Sequence, residues 1–91
     1  MRESKIEKHL VERVKAAGGL CWKFTSTNLR GVPDRVVMLP NRPTVWAELK
    51  APGGRLSALQ VRRHKDLWRV GQPVVVLASI EAVDTFMEAQ T

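Results

Sequence analysis

Two β-prone runs, residues 32–39 and 44–51, are separated only by Pro40-Asn41-Arg42-Pro43. A link this short admits an antiparallel hairpin, because parallel neighbours need a crossover of about a dozen residues or more. Both prolines suit a turn, and asparagine tolerates the left-handed backbone that tight turns demand. Upstream, residues 3–17 read as an amphipathic helix stopped by Gly18-Gly19. Residues 20–24 read as a strand, with Leu20, Trp22 and Phe24 on one face and Cys21 and Lys23 on the other. A polar loop, Thr25-Ser26-Thr27-Asn28, then runs to Gly31.

Downstream, Pro52-Gly53-Gly54 breaks the chain, and Ser57-Ala58-Leu59-Gln60 has the form of a capping box. It predicts a helix from Ala58 that stops before Gly71. Residues 73–78 form a valine-rich strand expected to be buried on both faces. Ser79 can cap a last short helix over residues 80–89. The order is α-β-β-β-α-β-α, an α/β fold. A hairpin followed by a helical crossover implies a mixed sheet.

The chain has 91 residues, room for a single domain spanning 1–91. No apolar run approaches the roughly 18–20 residues that cross a bilayer, and MRESKIEKHL lacks a signal-peptide core, so a cytoplasmic protein without membrane contact is expected. The lone Cys21 excludes an intramolecular disulfide and a thiol-rich zinc site. Fifteen Lys and Arg against nine Asp and Glu leave a charge of +6, which points to a polyanionic partner. Lys23, Arg30, Arg35, Arg42, Lys50 and Arg55 cluster in sequence around the acids discussed next. Arg62, Arg63, Lys65 and Arg69 ride on the second predicted helix.

The informative residues are polar ones in apolar positions. On the first helix Ile6, Leu10, Val14 and Ala17 form a stripe, widened by Val11, and Glu7 falls inside it. A core-facing carboxylate is costly unless paired or bound to metal. Two readings stay open for Glu7: partner of a buried Arg or Lys, or metal ligand. Glu3, one turn earlier, sits where a helix end frays into water, and is assigned no role. His9 lies on the polar flank and is expected to be solvated.

Glu48 and Lys50 interrupt the second hairpin strand. Residues at i and i+2 share a face, so the two project together about 6.5–7 Å apart. In isolation that is ordinary strand amphipathicity. Asp34, at the start of the partner strand, changes the picture, because the hairpin folds it towards Glu48. Clustered carboxylates raise one another's pKa, and a hard divalent cation removes the cost. For the two acids to share a face, paired residue numbers must sum to an even value. A two-residue loop at Asn41-Arg42 gives 83 and separates them, so an odd-numbered loop or a β-bulge is expected.

Pro33-Asp34 followed by Glu48-Leu49-Lys50 matches the PD-(D/E)xK nuclease motif. With Gly31-Val32-Pro33-Asp34, and with Leu56-Ser57-Ala58-Leu59-Gln60 leading to Trp68, residues 3–78 resemble the VRR-NUC family. These are virus-type replication-repair nucleases, whose stand-alone members resemble Holliday-junction resolvases. The resemblance implies a restriction-endonuclease-like core with helices on both faces of the sheet. It also implies a DNA endonuclease selective for branched DNA, using Mg²⁺ or Mn²⁺ and no small-molecule cofactor. Asp34 and Glu48 would hold the metal, joined by the Leu49 carbonyl and by Glu7. Lys50 would orient or deprotonate the attacking water. Gln60 would line the site, with His64 standing where relatives often carry Tyr.

Lys23, Arg30, Arg35, Arg55 and Arg62 are the candidate DNA contacts. A homodimer would set two active sites on two strands. The address would be the host cytoplasm if the chain is viral. The competing readings are a catalytically inactive DNA-binding module on the same fold and a structural protein with incidental basicity. Leu59, Leu67 and Val70 are expected to form the inner arc of the second helix, together with Gln60 and His64. Trp22, Trp46 and Trp68 are expected to pack in the core or a dimer before they stack on bases.

Overall fold

The computed structural model describes residues 1–90. Its elements are α1 (Glu3–Ala16), β1 (Leu20–Lys23), β2 (Arg35–Met38), β3 (Val45–Leu49), α2 (Ala58–Arg69), β4 (Val74–Leu77) and α3 (Ile80–Ala89). The element order is the one expected. The strands form one sheet in the order β1-β2-β3-β4, antiparallel at the first two pairings and parallel at β3–β4. The parallel pairing is available because α2 supplies the long crossover.

In the hairpin, Arg35 pairs with Ala47, Val36 with Trp46 and Val37 with Val45. Each pair sums to 82, the even parity that sets Asp34 and Glu48 on one face. The pivot of that register is Asn41, at φ +59°, with the Arg42 N–H bonded to the Leu39 carbonyl at 3.2 Å. An asparagine accepts this left-handed backbone at lower cost than most residues.

Alternation then sorts the side chains. Val37, Val45, Ala47, Leu49 and Leu77 face one side, where Ile6, Leu10 and Val14 of α1 and Val83, Phe86 and Met87 of α3 complete the core. At the end of α1, the Gly18 N–H bonds the Lys15 carbonyl and the Gly19 N–H bonds the Val14 carbonyl. This double closure uses the positive φ of Gly18. His9 and Arg13 of α1 both reach Oδ1 of Asp84 on α3, each at 2.7 Å. His9 is therefore an inter-helix tie, contrary to the solvated role expected, because α3 brings an acid that local sequence does not show.

The opposite face carries Trp22, Val36, Trp46, Glu48 and Val76, and α2 lies over its Glu48 end. Coverage there is partial. Val76 is 43% exposed, which corrects the expectation that β4 is buried on both faces. Leu59 of α2 and Val70 just past its end are exposed as well, and His64 is the residue that α2 buries. The apolar arc expected on this helix is thus a polar one, turned inward by what it meets in β3. Trp46 packs edge-on against Phe24 at 5.0 Å and donates to Gln72, whereas Trp22 and Trp68 are 61% and 57% exposed. No described helix is long and apolar enough to cross a membrane.

The pivot is open to a simple test. Replacing Asn41 by Val should cost about 1–2 kcal/mol in denaturant unfolding, since a β-branched residue resists φ > 0, whereas Asn41→Gly should be nearly neutral. Equal losses in both variants would mean that the turn does not depend on this backbone conformation.

Candidate active site

Asp34 lies one residue before β2, which begins with Arg35 opposite Ala47. Its backbone is held from both sides: its N–H donates to the Ala47 carbonyl at 3.1 Å, and its carbonyl accepts from Phe24 at 2.8 Å. Its side chain turns along β3, and Oδ2 accepts the Leu49 N–H at 2.9 Å. A carboxylate placed at a strand end thus takes over a ladder bond that β2 no longer supplies.

Glu48 is 1% exposed. Each of its oxygens meets a side-chain nitrogen on α2: His64 Nε2 stands 3.2 Å from Oε1, and Gln60 Nε2 donates to Oε2 at 3.4 Å. Gln60 is itself held by the capping box. Its Oε1 accepts the Ser57 N–H at 2.9 Å, and its own N–H donates to Ser57 Oγ at 3.1 Å. The motif that starts the helix therefore also aims the amide at Glu48. No buried side-chain polar atom among the described residues lacks a partner.

The loop carrying Asp34 is registered on the same helix. Gly31, at φ +82°, lies so close that a Cβ would stand 3.0 Å from Leu59 Cγ and 3.1 Å from the Leu59 carbonyl. Arg63 Nε donates to the Arg30 carbonyl at 3.1 Å. The first turns of α2 therefore fix both acids, one through Gly31 and one through Gln60 and His64.

Burial, then the hydrogen bond and negative charge of Asp34, push the Glu48 carboxyl up to about 8. Lys50 opposes this shift, and Glu3 adds to it. Burial holds the His64 imidazole below its usual range, against the charge of Asp34. Without a cation, then, neutral pH favours a protonated Glu48 beside a neutral histidine. Hard oxygen donors that repel one another suit a divalent cation, which takes over the work of that proton. No three His, Cys, Asp or Glu side chains among the described residues form a metal-binding group. The donor set is an open pair of carboxylates, which Mg²⁺ accepts because it retains several waters.

The expected site residues divide cleanly. Asp34, Glu48 and Gln60 come together, and the charge of Lys50 acts on both Glu48 and His64. Glu7 does not join them. Its Oε2 bonds Arg35 Nε at 2.8 Å, and Arg35 Nη1 donates to the Cys21 carbonyl at 3.2 Å. Arg35 neighbours Asp34 in the strand and so points to the α1 side of the sheet. Of the two readings left open for Glu7, pairing with a half-buried arginine is the one observed, and Arg35 is engaged there instead of reaching towards solvent. Lys23, Arg30, Arg55 and Arg62 are exposed.

One residue escaped the sequence reading, and a second was placed by it without its partner. Glu3, given no role, is the α1 acid whose charge reaches Glu48. Helical spacing already put it on the same side as Glu7, but only the docking of α1 says which turn meets the sheet end. His64 lay on the inner arc, and its partner became visible only in three dimensions.

No family model matches the sequence. The chain is 48% identical over 79 residues to "Putative nuclease p44" of Acyrthosiphon pisum secondary endosymbiont phage 1, covering 87% of this chain and 85% of that protein. A solved structure described as a VRR_NUC domain superposes with a TM-score of 0.90 at 30% identity, over 98% of this chain and 97% of the other.

The carboxyl pair predicts an unusual pH dependence of stability. Glu48 binds its proton more tightly folded (about 8) than unfolded (4.5), so its contribution is lost as pH rises towards 8. His64 has the opposite sign, but its gain is complete above 6.5. Between pH 6.5 and 8 in EDTA, unfolding free energy should therefore fall, by about 1 kcal/mol per pH unit on average. Glu48→Gln should flatten the slope, and Mg²⁺ or Mn²⁺ should restore stability at pH 8. Stability that rises over this window would contradict the electrostatics described.

Proposed function

This chain belongs to the VRR-NUC family of nuclease domains, and from that premise we propose that it is a DNA endonuclease working with Mg²⁺ or Mn²⁺ at Asp34 and Glu48. The observation that carries the reading is Glu48: a carboxyl buried beside a second one, clamped by two side chains, at the open end of a sheet. Such an arrangement is costly to maintain and gains its purpose from a cation. The Leu49 carbonyl lies on the edge of β3 from which its N–H meets Asp34, and supplies a further oxygen. Of Glu3 and Glu7 on α1, Glu3 is the better candidate to add another, since its charge reaches Glu48 while Arg35 holds Glu7.

A divalent cation, when bound, polarises the scissile phosphate and favours ionisation of the attacking water. Lys50 then holds that water in line and stabilises charge developing on the phosphate oxygens. The water oxygen bonds to phosphorus as the bond to the 3′ oxygen breaks, leaving a 3′-hydroxyl and a 5′-phosphate. Gln60 keeps Glu48 turned towards Asp34. The exposed Lys23, Arg30, Arg55 and Arg62 bind backbone phosphates, which gives affinity and register without base specificity.

Branched DNA is the favoured substrate in this reading. A subunit of this size covers little DNA, and a two-fold dimer offers two sites to two strands. The exposed apolar residues Leu20, Trp22, Trp68 and Val76 are of the kind that a second copy would cover. The protein acts in the cytoplasm, that of the host if the chain is viral.

The reading is tested with labelled four-way, flapped and linear DNA in Mg²⁺ and in Mn²⁺. Cleavage should favour the branched forms, and Asp34→Ala or Lys50→Ala should lower it at least about a hundredfold. DNA binding without cleavage of any substrate would point instead to an inactive binding module. Glu3→Ala should weaken metal-dependent cleavage more than Glu7→Gln does; the reverse order would return the role to Glu7. Sedimentation of the protein on DNA should give two copies per junction, and a strict monomer would remove the dimer.

A further inference from the structure

We propose that His64 is the positioning residue of Glu48, a role that rests on the metal-dependent reading above. The imidazole is 7% exposed and its Nε2 stands 3.2 Å from Glu48 Oε1. Gln60, one turn earlier on the same face of α2, holds the other oxygen. Two side-chain nitrogens four residues apart thus grip both ends of one carboxylate, and this fixes the rotation of its plane. An ionised carboxylate only accepts hydrogen bonds, so Nε2 carries the proton whenever Glu48 is charged.

The two grips are unequal. Gln60 shares its amide with the capping box and reaches Glu48 at 3.4 Å, whereas His64 is nearer at 3.2 Å and almost sealed from solvent. Each carboxylate oxygen retains a second lone-pair direction, which leaves Glu48 free to face Asp34 and a cation. His64 itself belongs to no group of three potential ligands among the described residues. It acts through Glu48, and such supporting hydrogen bonds commonly govern about 10–100-fold of metal affinity or activity.

The donor's reach separates this role from simple packing. The side-chain amide nitrogen of Gln approximates the position of Nε2, while that of Asn falls short, near Nδ1. His64→Gln, His64→Asn and His64→Leu are compared with wild type by Mn²⁺ calorimetry without DNA, by thermal melting in EDTA, and by cleavage across a Mn²⁺ series. The expected result is that His64→Asn and His64→Leu weaken Mn²⁺ binding about 10–100-fold. Their cleavage should recover as Mn²⁺ is raised, and His64→Gln should restore binding close to wild type. The Gln and Asn pair decides the matter even if the leucine variant fails to fold. If wild type binds Mn²⁺ and cuts DNA while all three variants bind Mn²⁺ equally well, His64 is a packing residue and the inference is overturned. If wild type neither binds Mn²⁺ nor cuts, the nuclease reading itself falls and takes this inference with it.

Discussion

The pairing of Arg35 with Ala47 sets the parity of the hairpin, and parity decides where every side chain near the site can point. A slip of one residue would send Glu48 and Lys50 towards α1 and α3 and expose Val45, Ala47 and Leu49. The hydrophobic core resists that slip, because all three belong to it and Ala47 and Leu49 are among its most buried members. Burial of apolar side chains on one face thus enforces the convergence of charged ones on the other. The turn at Asn41 accommodates the choice locally; the core makes it stick.

That convergence works against stability. Placing Glu48 out of water beside Asp34 raises its pKa, and nothing in the core benefits from the arrangement. The cost is contained by hydrogen bonds: Leu49 to Asp34, Gln60 and His64 to Glu48, and the capping box behind Gln60. Helix α2 is consequently more a brace than a core element. It buries a histidine where an ordinary amphipathic helix would bury a leucine, and it leaves Leu59 exposed. Local violations of sequence patterning of this kind are what a functional site produces.

The two faces of the sheet divide the labour. On one, α1 and α3 build the core, joined through Asp84 to His9 and Arg13 and bordered by the Glu7–Arg35 pair. On the other, polar chemistry at the β3 end gives way to an incompletely covered apolar surface carrying Trp22 and Val76. A charged residue within a hydrophobic stripe is thus an ambiguous signal. Glu7 and Glu48 look alike in sequence, yet one neutralises an arginine and the other faces a second acid.

Local pattern by itself determined the seven elements and their order, the capping box at Ser57, the hairpin, the parity needed to unite Asp34 with Glu48, and the family. Each depends on interactions within a few residues or on a repeat period, which a linear chain displays directly. Only the tertiary structure decided that Arg35 captures Glu7, that the charge of Glu3 reaches Glu48 instead, that His9 ties to Asp84, that β4 stays open on one face, and that His64 meets Glu48. Those outcomes depend on how α1 and α2 dock on the sheet. Docking is set by the summed packing of residues far apart in sequence, and no single spacing along the chain encodes it.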